Sequence, residues 1–111
     1  MTTISDDYMR ENLAKTKAYS AVILKSTAKA AQPEARPIIW EHGRRNFQLR
    51  ADGVLSIVCP ISDGSGVSGI GIFNASVDET ERIMRDDPGV QAGLFTFEVH
   101  ACRSFPGDAL P

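Results

Sequence analysis

Hydrophobic and polar positions along the chain follow two periods, one suited to strands and one to helices. Residues 19–24 are rich in apolar and β-branched side chains and predict a first strand. Residues 54–59 form a nearly continuous apolar run, as expected of a strand covered on both faces. The turn residues Ser62-Asp63-Gly64-Ser65-Gly66 separate it from a third strand over 67–75, which predicts a hairpin. Residues 94–102 alternate through Phe95, Phe97 and Val99, which predicts the last strand.

Helical spacing fills the intervals. Over 38–50, projection at about 100° per residue places Ile38, Ile39, Trp40, His42, Gly43, Asn46, Phe47 and Leu49 on one broad face, with Glu41, Arg44, Arg45 and Gln48 on the other. Trp40 and Phe47 are therefore expected as core or cleft wall. Asp52-Gly53 ends this helix. Ser76-Val77-Asp78-Glu79 has the form of a capping box and opens a second helix, expected to end at Asp87 because Pro88 disfavours helical geometry in the residue before it. Its inward stripe is Val77, Thr80, Ile83, Met84 and Asp87, while Asp86 falls among polar residues.

Two segments stand apart. Residues 5–17, with Ser5 as N-cap ahead of Asp6 and Asp7, predict a short amphipathic helix appended to the core. Residues 26–37 lack periodicity and read as a long loop, a candidate cover for a site. The order strand, helix, strand, strand, helix, strand predicts an α+β, ferredoxin-like βαββαβ domain over 19–103, with an N-terminal helical extension over 1–18 and a tail over 104–111.

A length of 111 residues suits one domain and leaves limited room for a deep pocket within one protomer, a limit that self-association would relieve. The net charge of -2, with both signs interspersed, provides no basic stripe, which argues against nucleic acid and anionic membrane as partners. The apolar stretch 18–24 is too short to span a membrane and lacks a secretory cleavage site, so the expected location is cytoplasmic. Cys59 and Cys102 have no metal-type spacing, and free thiols are expected.

Candidate chemistry centres on His42 and Asp87. Right-handed crossovers bring the start of the first core helix near the end of the second, so both side chains are expected at one edge of the sheet on its buried side. A carboxylate beside an imidazole fixes its tautomer and favours the imidazolium, which prepares a histidine for proton transfer. The competing reading is a buried histidine that closes off a helix end through Asp87, with no substrate involved. Residues 62–69 lack the Lys-Ser/Thr ending of a P-loop, and no H-E-x-x-H or Cys/His cluster suggests a metal; no cofactor motif is present. His100, alternating with Val99 beside Glu98, is expected on the dimer-facing or outer side of the sheet.

From His42 onward the chain resembles the YCII-related proteins. The resemblance rests on a histidine opening a helical stretch, Gly53 eleven residues later, a short apolar strand ending in Pro60, a Ser-led helix closing in Asp87-Pro88, and Ala92-Gly93-Leu94-Phe95. It covers about residues 19–103, and the order and spacing of its short motifs carry it. It implies homodimers whose sheets face one another in a dimeric α/β barrel, a site around His42 and Asp87, and proton transfer or elimination on small, often aromatic, catabolites. Trp40, Asn46, Cys59 and Pro60 are the candidate substrate contacts. Two features depart from the family: Cys59-Pro60 stands where Gly-Pro is common, and residues 5–17 lie outside the usual pattern. Two functions fit these residues, a lyase or isomerase acting through a His/Asp pair, and a non-catalytic ligand-binding or accessory module using the same cleft.

Overall fold

The computed structural model describes all 111 residues. Helix α1 (Asp6–Leu13) precedes strand β1 (Lys17–Ser26), and two 3-10 turns lead into α2 (Arg36–Ala51). Strands β2 (Leu55–Pro60) and β3 (Val67–Phe73) follow, then α3 (Val77–Arg85), the short α4 (Pro88–Gln91) and β4 (Phe95–Ser104). The sheet order is β2-β3-β1-β4 with every neighbouring pair antiparallel, which is the ferredoxin-like arrangement.

Alternation along the strands decides what the helices cover. On β1, Ser20, Val22 and Leu24 are buried, and their partners across the ladder include Phe73, Phe97 and Val99. Leu55, Phe73, Met84, Leu94 and Phe95 complete the core between sheet and helices. Each large apolar side chain buried there contributes about 1.5–3 kcal/mol. Ser20 is tolerated inside because its hydroxyl donates to the carbonyl of Ala75 at 2.8 Å.

The other sheet face is bare. The register pairs Ile23 with Ile70, Ile57 with Ile72 and Cys59 with Ile70, all on the side opposite the helices. His100 belongs to this side, where Nε2 lies 3.1 Å from Glu98 Oε2.

Several boundaries and contacts differ from expectation. The 26–37 segment is an ordered connection: Thr27 Oγ1 donates to the Gly93 carbonyl at 2.6 Å, Ala35 is buried, and Pro33 and Pro37 each sit in the first positions of a helical turn. Trp40 is 69% exposed and Phe47 is 68% exposed, so Trp40 is not a core residue and Phe47 stands at a cavity rim. A whole-face projection placed them too far inward, because the sheet covers only the narrower stripe of Ile38, Ile39, His42 and Leu49. Ser76 caps α3 by accepting the Glu79 amide at 3.2 Å, but α3 ends at Arg85, before Asp87. Both cysteines are free, and no helix is long and apolar enough to cross a membrane.

Candidate functional site

Asp87 is positioned by a sequence device different from the one expected. It is the N-cap of α4, with extended backbone and Pro88 at the first helical position, and its Oδ2 accepts the amides of Gly89 at 3.0 Å and Val90 at 3.2 Å. The carboxylate is 1% exposed. Its favourable place at a helix start replaces the unfavourable last-turn position that a longer α3 would have imposed.

The remaining oxygen, Oδ1, meets His42 Nδ1 at 2.8 Å. His42 comes from α2, and its ring is 12% exposed. One turn on, Asn46 Nδ2 lies 3.3 Å from His42 Nε2. A single hydrogen-bond assignment satisfies both contacts: Nδ1–H donates to Asp87, and Nε2 accepts from Asn46. Phe95, at the start of β4, supports the imidazole from another side, with ring centroids 4.8 Å apart and planes inclined at 44°.

Phe95 is itself held against α4. A Cβ on Gly89 would lie 2.5 Å from Phe95 Cδ2 and 3.1 Å from Asp87 Oδ2, so only glycine lets this turn approach ring and carboxylate together.

Arg45 was expected on the polar face of α2, yet it joins this group. Its Nη1 donates to the Ile83 carbonyl at 2.7 Å, tying α2 to α3, and lies 3.9 Å from Asp87 Oδ1. The long apolar stem lets an arginine at the edge of a polar face reach inward, which a helical projection of Cβ positions does not register. The signal was its place three residues after His42.

The imidazole opens on a cavity of about 460 Å³ between α2 and the sheet, a volume suited to one small molecule. Its walls are mostly apolar, including Val22, Leu24, Leu55, Val58, Phe73 and Met84, with His42, Asn46, Ser26 and Ser68 as polar side chains. Glycine makes part of this space: a Cβ on Gly71 would come within 3.1 Å of Leu55 Cδ1. No lysine, arginine or carboxylate lines the cavity.

Of the candidate contacts, Asn46, Cys59 and Pro60 line the cavity with His42. Cys59 faces the bare side of the sheet by register, and its carbonyl lies beside Gly69, 3.2 Å from where a Cβ would stand. Trp40 is not among the lining residues; it sits on the exposed side of α2 in a neighbouring groove. No group of three or more histidine, cysteine or acidic side chains is placed to hold a metal.

No family model matches the chain, and no curated protein is similar to it. Among solved structures, the chain is similar to 5-chloro-2-hydroxyhydroquinone dehydrochlorinase from Burkholderia phenoliruptrix in complex with 2,5-dihydroxybenzoquinone. The TM-score is 0.50 at 18% identity, over 74% of this chain and 90% of that one. At that identity the likeness is one of fold.

Proposed function

We propose that this chain is a small-molecule enzyme of YCII-related type in which His42 Nε2 takes up or delivers a proton and Asp87 orients the ring. The observation that carries this reading is the His42–Asp87 contact of 2.8 Å at the wall of a ligand-sized cavity. With Nδ1–H held by the carboxylate, Nε2 carries the lone pair, which accepts from Asn46 Nδ2 until a substrate proton takes that amide's place, and the positive charge the ring gains on protonation is stabilised by Asp87. Arg45 balances the carboxylate charge where solvent does not reach it.

Proton abstraction next to a leaving group gives an elimination, and proton return at another atom gives an isomerisation; neither requires a nucleophile or cofactor. The neighbour of similar fold is a dehydrochlorinase described in complex with a benzoquinone. A ring-bearing substrate without a full charge suits a cavity of this size and lining. The protein works as a homodimer in this reading, with the bare sheet faces of two copies packed together.

The test is a screen of phenolic, quinol and lactone compounds on wild-type protein and on His42→Gln, which retains a hydrogen-bonding side chain but does not exchange a proton near neutral pH. Turnover should fall by roughly 10²–10⁴-fold with the thermal transition and dimer retained. Wild-type turnover in the folded variant overturns the assignment. The competing reading, a binding module, rests on the same apolar cavity and predicts ligand uptake without conversion.

A further inference from the structure

Helix α1 is amphipathic and has nothing to pack against. Tyr8, Met9 and Leu13 lie on one side of it, each about half exposed, and none of its residues is buried. Its backbone is nevertheless well capped, since Ser5 Oγ accepts the Tyr8 amide at 3.1 Å. An isolated eight-residue helix is marginal in water, and apolar side chains on one face need a partner surface. The radius of gyration of 16.4 Å exceeds the roughly 13 Å expected of a compact domain of this length, and the long axis reaches 55 Å.

A complementary surface lies on the solvent side of α2. Arg36, Ile39, Trp40, Gly43, Arg44 and Phe47 line a groove there. These six positions make two successive holes, 36/39/40/43 and 40/43/44/47, of the kind into which a facing helix inserts side chains four residues apart. Met9 and Leu13 have that spacing. A Cβ on Gly43 would meet nothing within 4 Å inside its own chain. Internal packing therefore does not call for a helix-weakening glycine, whereas close approach of a second helix does.

Charge matches as well. Helix α1 carries Asp6, Asp7 and Glu11 against Arg10, while the solvent side of α2 carries Arg36, Arg44 and Arg50 against Glu41. Asp6, Glu11 and Arg36 make no ion pair within the chain.

We propose that the N-terminal helix of one copy docks in trans on the Trp40/Phe47 groove of a second copy. The contact is separate from the sheet face and independent of the His42 chemistry. Because the groove shares Ile39, Gly43 and Phe47 with the His42 cavity, the docked helix lies over one wall of that cavity.

Trp40 is the only tryptophan in the chain, so its emission reports on the groove. A full-length variant carrying Met9→Lys and Leu13→Lys keeps the tryptophan and loses the apolar arm. A full-length Trp40→Phe chain has an intact arm and is silent. Incubated together until subunits exchange, the silent chain should shift the emission of the first to the blue in a saturable way, and high salt should weaken the effect. An unchanged spectrum overturns the proposal. So does an equal shift produced by a silent chain that also carries Met9→Lys and Leu13→Lys, because the sheet faces alone would then account for it.

Discussion

Asp87 divides its carboxylate between two tasks: Oδ1 faces His42 Nδ1 at 2.8 Å, and Oδ2 accepts the first free amides of α4. The imidazole is thus oriented by a group that its own helix cap holds still. These bonds carry the structural reading of the pair, and in the proposed function they also hold the carboxylate where it would steady a charged ring.

Asp87→Asn and Asp87→Ala should separate the two tasks. Asparagine caps a helix about as well as aspartate, whereas alanine loses a cap of about 1 kcal/mol and the His42 hydrogen bond of about 1 kcal/mol. Urea denaturation should show the alanine variant destabilised by about 2 kcal/mol and the asparagine variant by less than half of that. Both should lose turnover, because neither supplies a negative charge to the imidazolium. Equal destabilisation of the two would remove the cap from the explanation.

The bare sheet face should govern assembly. Ile70 is 40% exposed there, opposite Ile23 on β1 and Cys59 on β2. Ile70→Lys places an ammonium among these apolar side chains, and sedimentation velocity should show the wild type as the proposed dimer and the variant as a monomer. A variant that sediments like wild type would move the dimer contact elsewhere.

The Lys25–Glu98–His100 cluster on the same face has a pH signature. The Lys25 ammonium, hydrogen-bonded at 2.7 Å, holds the Glu98 carboxyl below its usual range, and His100 at 3.1 Å adds to this. A carboxyl depressed in the folded state contributes stability that is full above its unfolded value and is lost as pH falls through its folded value. The NMR titration midpoint of Glu98 should lie below that of glutamate in the unfolded chain. Lys25→Met should return it toward the ordinary glutamate value, and in the Ile70→Lys monomer, where the pair is solvent-exposed, salt should narrow the difference. An ordinary midpoint at low salt would show that the pair does not form.

Local signals carried the four strands, the two core helices and the Ser76 cap into view, because alternation, helical period and capping chemistry are properties of neighbouring residues. They also point to His42 and Asp87, although Asp87-Pro88 starts α4 where the pattern alone predicts the end of α3. Arg45 and Phe95 at the site, and the exposure of Trp40, depend on distances between elements. Which stripe of α2 meets the sheet follows from how the whole layer packs, and a single helix does not encode it.

The sequence by itself determined the order of elements, the polarity of the strands and the inward turn of His42, since each follows from chemistry within a few positions along the chain. Only the tertiary structure decided that Asp87 caps α4 while facing His42, that Asn46 and Phe95 complete the ring's surroundings, and that α1 and the Trp40 groove are left uncovered. Those are relations between segments up to dozens of residues apart, created when the sheet and helices close on a shared core.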